Sequence, residues 1–188
     1  MLGYSGTVAI DLAQWYFGRI THVAASLGTF GNADTKREHA AAPDTAHLLV
    51  RYADGAHGTI VSSDVSWLGH MDVRVSFAGS DGALELDQHG LFATDPGALR
   101  GSKSGEEPPH QTLSTGQEGW GAPSSADEPV LARILRLYTT QPVATRLFID
   151  NIIAGKPGQP SFTDALRNEL VVEAARSDDW VEPGELAG

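Results

Sequence analysis

Cysteine is absent from the 188 residues. That excludes disulfides, thiolate-held zinc and a cysteine nucleophile, while leaving the compartment open. Long apolar runs are missing too: nothing approaches the roughly 18 consecutive apolar residues that a membrane-crossing helix requires. The N-terminus has no basic segment followed by an apolar one, so no secretory leader is expected. Positive charge is scarce. The 13 lysines and arginines face 24 aspartates and glutamates, for a formal net charge of −11. Such a field repels phosphate backbones and anionic lipid, which argues against nucleic-acid or membrane-surface partners; with no span and no leader expected, a cytoplasmic protein is the default expectation. What is present suffices for a folded body. Hydrophobic residues make up 41% and charged residues 20%, and the length suits a single domain over 1–188.

The patterning alternates between two periods. From Thr7 to Phe17, the apolar residues Val8, Ile10, Leu12, Trp15, Tyr16 and Phe17 cover much of a helical surface, and Gly18 reads as the stop. A strand is expected from Ile20 to Phe30. In "AHLLVRY", Ala46, Leu48, Val50 and Tyr52 fall on one face and His47, Leu49 and Arg51 on the other. Asp54-Gly55 signals a hairpin, with "HGTIVSSDV" as the return strand. In "MDVRVSFAG", Val73, Val75 and Phe77 point inward, against Asp72, Arg74 and Ser76. Ser80-Asp81-Gly82 turns into "ALELD", with Leu84 and Leu86 inward, and His89-Gly90 turns into "LFAT". The expectation is an antiparallel meander with one greasy face and one mixed face. Gly, Pro, Ser and Glu then dominate 95–127, read as a long loop with an edge strand at "HQTL".

Helical signal returns at Pro129. Val130, Ile134, Leu135 and Tyr138 share a face that Leu147, Phe148, Ile152 and Ile153 continue, with Pro142 dividing the element and Gly155 ending it. The last helix starts at a capping-box-like Ser161 and Asp164 and is expected to bury Leu166, Leu170, Val171 and Ala174. The order of elements implies α+β: an open-faced antiparallel or mixed sheet with helices on one face.

Several of these stretches, taken together, resemble the C-terminal domain of the Gfo/Idh/MocA oxidoreductases. "DLAQWYFGRITHVAAS" is similar to the family's D-L-x-x-W-x-x-G helix leading into the domain's first strand. "TAHLLVRYADGAHGTIVSS" resembles its strand pair around an aromatic-x-D/N-G turn, "VSFAGSDGALELD" its G-x-x-G-x-L pair, and "LFIDNIIAGKPGQPSFTDALRNELVVEAARS" its closing helices. The resemblance implies an NAD- or NADP-dependent oxidoreductase of the sugar or polyol class. It also implies a Rossmann domain ahead of the first helix, so a truncated or split gene product is expected here. A dinucleotide site needs G-x-G-x-x-G between a strand and a helix. Gly3 and Gly6 have no preceding strand, Gly28 and Gly31 have no following helix, and "GKPG" at Gly155 lacks the P-loop pattern. No cofactor is therefore expected to bind this chain alone.

The family's acid–base residues depart as well. Its lysine, often in E-K-P, belongs to the Rossmann domain. When its D-x-x-x-H motif is aligned on Asp11-Leu12, the histidine position falls on Val8 and the aspartate position on Tyr4. Valine transfers no proton, and a tyrosine with an ordinary pKa near 10 is a poor base. Tyr4, Val8 and Asp11 thus form a candidate pocket remnant with no catalytic residue assigned. Asp11 reads first as a residue that caps or pairs with a neighbouring backbone or arginine and only second as a pocket carboxylate, and Trp15 first as core and second as a sugar-stacking platform. Ser62, Ser63 and Asp64 have no histidine placed to build a triad. His57, His70 and His89 lack helical metal spacing. Trp120 in the glycine-rich stretch is expected to dock on this chain or a partner. Leu49, Arg51 and Arg74 on the mixed face are interface candidates for a homodimer or for a heteromer with a Rossmann-containing subunit. Two functions remain open: the substrate-side and oligomerisation domain of such an oxidoreductase, unable to transfer hydride alone, or a non-enzymatic scaffold or small-carbohydrate-binding module.

Overall fold

A computed structural model describes residues 2–30, 43–65, 73–88, 98–105, 111–114, 125, 127–140, 144–158 and 160–177. The turns expected at His89-Gly90, the strand "LFAT", and His70 and Trp120 lie outside them. The chain divides into two compact units, Met1–Ser66 with Pro157–Gly188, and Trp67–Lys156. The class is α+β, with two antiparallel sheets and helices.

The first unit opens with a π-helical turn, Leu2–Gly6, which runs into α1, Thr7–Phe17. Gly18 ends the helix as expected. Its φ is 78° and its N–H donates to the Gln14 carbonyl at 2.9 Å, a conformation that glycine adopts at little steric cost. Three strands follow: β1 (Ile20–Gly28), β2 (Thr45–Tyr52) and β3 (His57–Ser63), paired in the order β1-β2-β3. The alternation read in β2 is fully realised, with Ala46, Leu48, Val50 and Tyr52 buried and His47, Leu49 and Arg51 exposed. Register carries the pattern across the sheet. Val23 opposes Val50, Ala25 opposes Leu48, and Leu48 opposes Ile60, so one face is continuously apolar. The β2–β3 turn spans Ala53, Asp54 and Gly55. The Tyr52 N–H donates to the Ala56 carbonyl at 2.8 Å and Gly55 takes φ 93°.

The last helix among the described residues, α4, spans Phe162–Ala174 and follows two helices of the second unit in sequence. Its capping box is present as read. The Asp164 N–H donates to Ser161 Oγ at 3.3 Å, and the Ser161 N–H donates back to Asp164 Oδ2 at 2.7 Å. Its buried stripe differs from expectation. Val171 and Ala174 are buried as expected, but Leu166 is half exposed and Leu170 only partly covered, and Asn168, Val172 and Ala175 complete the buried stripe. Together α1, α4 and the inner sheet face enclose a core in which Ile10, Ile20, Val23, Leu48, Val50, Val171 and Val172 are almost wholly out of water. Each such side chain contributes about 1.5–3 kcal/mol of burial. The Phe17 and Tyr52 rings meet at 5.1 Å between centroids. Burial and, secondarily, the Asp54 carboxylate push the Tyr52 phenol above its ordinary pKa.

The second unit carries β4 (Val73–Gly79), β5 (Gly82–Gln88), β6 (Ala98–Lys103) and β7 (Gln111–Ser114), paired in that order. The strands of the expected meander are thus divided between two sheets. The segment read as a loop over 95–127 supplies β6 as well as the foreseen β7. Val75 opposes Leu86, Phe77 opposes Leu84, and Leu86 opposes Leu99, which joins the apolar residues on one face. The other face pairs Arg74 with Asp87 at 3.3 Å and Arg100 with Glu85 at 3.5 Å. Gly82 is obligatory. A Cβ there would sit 2.1 Å from the Ser102 carbonyl oxygen, at φ 150°. The two helices of this unit, α2 (Val130–Thr140) and α3 (Ala144–Ile153), lie on either side of Pro142 in sequence. α3 ends in a Schellman motif: Lys156 N–H donates to Asn151 O at 2.9 Å, Gly155 N–H to Ile152 O at 3.1 Å, and Gly155 has φ 61°.

Candidate functional site

Two features of the first unit place polar chemistry on named elements. The first joins α1 to α4. The Gln14 Nε2 donates to Asn168 Oδ1 at 2.8 Å, and Asn168 Nδ2 donates to Asp11 Oδ1 at 2.7 Å. Gln14 Oε1 also accepts the Ile20 N–H at 3.1 Å, which ties the start of β1 to the same cluster. Asn168 is 5% exposed, and every buried polar side-chain atom among the described residues has a partner. Asp11 therefore accepts from a side chain of α4. That side chain is an asparagine from the far end of the chain rather than a backbone group or an arginine. Sequence reasoning missed Asn168 because it sought leucines for the α4 stripe. The available signal was an asparagine in phase with Val171, Val172 and Ala175.

Val8 lies one turn before Asp11 on α1, with 69% of its surface exposed. Tyr4 belongs to the π-helical turn ahead of it. Trp15, also 69% exposed, and Tyr16 extend the exposed side of α1, so Trp15 is not core. The exposed run on α1 offers no carboxylate–histidine pair, and acid–base chemistry is not assembled there from Val8 and Asp11. Ser62 Oγ donates to Ser5 Oγ at 3.3 Å, while Ser63 Oγ shares a 3.0 Å bond with Thr45 and accepts the Val65 N–H at 3.4 Å. These are fold-holding contacts. Among the described residues, no three His, Asp or Glu side chains converge as a metal site.

The second feature is the outer face of the first sheet. Strand register lines up His22, Arg51 and His57 in one cross-strand row, Ala24, Leu49 and Thr59 in the next, and Ser26, His47 and Val61 in the third. Arg51 Nε donates to His57 Nε2 at 3.2 Å. Leu49 and Val61 are more than half exposed. Arg74, grouped with Leu49 and Arg51 on the sequence pattern, stands on β4 of the other sheet in ion contact with Asp87. Leu49 and Arg51 thus share one face of β2, and Arg74 belongs to the other sheet. The reason is that alternation fixes which side a residue takes, not which strands pair.

At the starts of α1 and α4 the residues present do not build a nucleotide cradle. α1 is entered from a π-helical turn rather than a strand, and the α4 start is closed by the Asp164 carboxylate, which would oppose a phosphate.

A family model described as the GFO/IDH/MocA C-terminal domain matches residues 1–85. No curated protein sequence matches the chain. Among solved structures, a levoglucosan dehydrogenase in complex with NADH and levoglucosan aligns with 98% of this chain and 50% of its own, at TM-score 0.67 and 20% identity. An oxidoreductase domain protein from Kribbella flavida aligns with 98% of this chain and 50% of its own, at TM-score 0.66 and 22% identity. An oxidoreductase from Agrobacterium radiobacter, in complex with NAD+, L-tartaric acid and magnesium, aligns with 97% of this chain and 48% of its own, at TM-score 0.68 and 17% identity. The chain thus spans about half the length of the structures it matches, and at these identities the likeness is one of fold. Residues 1–85 match the model of the GFO/IDH/MocA C-terminal domain, and the chain as a whole shares the fold of the matching half of those oxidoreductase structures.

Proposed function

We propose that this chain is the substrate-side and oligomerisation part of a GFO/IDH/MocA-type oxidoreductase acting on a sugar or polyol with NAD or NADP, and that it does not transfer hydride by itself. The observation that supports this most directly is α1. It carries the family's helix into the family's first strand, yet it presents Val8 where the resemblance places the acid–base histidine, and its Asp11 is engaged by Asn168. On this reading the nicotinamide cofactor and the lysine are held by a separate nucleotide-binding part, and this chain supplies α1 and the outer face of the first sheet. That face, with Leu49 and Val61 set among Arg51, Thr59 and three histidines, suits a second copy placed sheet to sheet, in which one patch is used twice. A heteromer with a Rossmann-containing subunit would use the same surface.

The test is calorimetric titration of this chain with NADH and NADPH. No saturable heat is expected at millimolar cofactor, where a site of about −4 kcal/mol would register. Micromolar binding would overturn the proposal, because the cofactor site would then lie within this chain.

A further inference from the structure

The edge of the second sheet at β4 carries an inference about assembly. The strands pair in the order β4-β5-β6-β7, so β4 has β5 on one side and, among the described residues, no strand on the other. β4 and β5 are joined by the two-residue turn Ser80-Asp81, closed by the pair Gly79–Gly82. The pair flanking a two-residue turn is hydrogen-bonded, and bonded pairs alternate along an antiparallel ladder. Val73, Val75, Phe77 and Gly79 therefore direct their backbone groups at β5, while Arg74, Ser76 and Ala78 turn theirs outward. All three outward residues are exposed. Natural sheet edges are shielded by short length, bulges, proline or lysine. β7 is four residues long, and β1 shifts register between Ile20 and His22. β4 has seven residues, regular pairing, and neither proline nor lysine.

We infer that the outer edge of β4 pairs antiparallel with β4 of a second copy, about a two-fold axis at Ser76. The strand sequence VRVSFAG is self-complementary in this register. With Ser76 opposite Ser76, Arg74 comes opposite Ala78 and Val75 opposite Phe77. Every outward residue then meets an outward residue, so the central serine pair and both Arg74–Ala78 pairs exchange backbone hydrogen bonds. Val75 and Phe77 meet at the positions between, where side chains approach closest, as β-branched–aromatic pairs. They extend the face on which Val75 opposes Leu86 and Phe77 opposes Leu84. Charge selects the same register. Placing the axis at Arg74 would set two arginines face to face. With the axis at Ser76, Arg74 stands opposite a residue three positions from the other copy's Asp81, so the one charge on the strand approaches charge of opposite sign. This surface lies on the second unit and is independent of the outer-face reading of the first sheet. A single strand pair buries less than the roughly 1,200 Å² of a standard interface, so it is the weaker contact and is followed at higher chain concentration.

The experiment is residue-resolved amide hydrogen exchange on the intact chain at about 30 μM and about 1 mM. The expected result is exchange of the Arg74, Ser76 and Ala78 amides slowed by about threefold or more at the higher concentration, with Val75 and Phe77 slow at both. Two variants leave the β4–β5 ladder its bonds. Ser76→Pro removes only an outward N–H, and Ser76→Lys sets two ammonium groups across the axis. Each should abolish the concentration dependence at Arg74 and Ala78, while slow exchange at Val75 and Phe77 shows that the hairpin is intact. Wild-type Arg74, Ser76 and Ala78 amides that exchange fast at both concentrations overturn the inference. Amides slow at both mean that the outward row is satisfied within one chain, which overturns it equally. Concentration-dependent protection that survives both variants assigns the edge to another strand or register and overturns the pairing about Ser76.

Discussion

Replacing Asn168 by alanine tests whether the first and last helices are held by one polar cluster. The side chain makes two hydrogen bonds, one to the neutral Gln14 amide at 2.8 Å and one to the Asp11 carboxylate at 2.7 Å. A neutral bond is worth about 1 kcal/mol net and one to a charged group about 1.5–3. Asp11 and Gln14 are only partly buried, so water recovers some of that loss once Asn168 is gone. The expected net destabilisation is about 2 kcal/mol. Because the chain has two compact units, a global unfolding curve would blur the effect, and amide hydrogen exchange read by segment is the better assay. About 2 kcal/mol corresponds to roughly thirtyfold faster exchange in α1 and α4. Strands β4 to β7 should be unchanged. Asp11→Asn keeps an amide acceptor for Asn168 and should cost about half as much. If Asn168→Ala leaves exchange in α1 and α4 within about twofold of the parent, the bonds contribute nothing net and the reasoning fails.

Gly82→Ala should disrupt the second sheet by more than about 3 kcal/mol, since its Cβ would meet backbone oxygen at 2.1 Å. Gly101→Ala should cost less, about 1–3 kcal/mol, because it meets the ends of Leu113 and Leu84 at 2.9 Å, and these can move; urea unfolding of the two variants checks the order. Ser161→Ala removes the α4 cap and should cost about 1 kcal/mol in the same assay. Asp164 is held below its ordinary pKa first by the Ser161 backbone N–H and then by the Ser161 hydroxyl. Its contribution is therefore complete above the usual carboxylate range and is lost as pH falls through and below it. The stability difference between the parent and Asp164→Asn should shrink in acid, by thermal melts across that range. Leu49→Asp puts like charges near the middle of a sheet-to-sheet contact and should yield monomers by sedimentation; an associated Leu49→Asp chain would remove that face from the interface.

The elements most legible in the sequence are those whose signal is local. The Gly18 stop, the alternation of β2 and the Ser161–Asp164 box each depend on residues within a few positions of one another. β6 was illegible because "ALRGSK" has little β-branched or aromatic character. Its strand conformation depends on pairing with β5, and the Leu84 and Leu113 side chains close over Gly101. The division into two sheets was hidden for a related reason, since strand partners are a tertiary choice. On the candidate site, the sequence placed Tyr4, Val8 and Asp11 on adjoining turns and put Leu49 and Arg51 on an exposed face. The partner of Asp11 lies 157 residues away, and no local pattern names it.

The first unit is discontinuous along the chain: α4 belongs with α1 and β1 to β3, but the whole of Trp67–Lys156 is made in between. During synthesis at about 5–20 residues per second, the inner face of β1 and β2 waits roughly 5–20 s before Val171 and Val172 exist to cover it. For that interval Leu48, Val50 and Val23 form a surface that another nascent chain could occupy. The polar cluster centred on Asn168 is then a closing clasp, formed last. Its requirement for an amide partner discriminates against any apolar segment that arrives first, since such a segment would leave Asp11 and Gln14 without their Asn168 bonds.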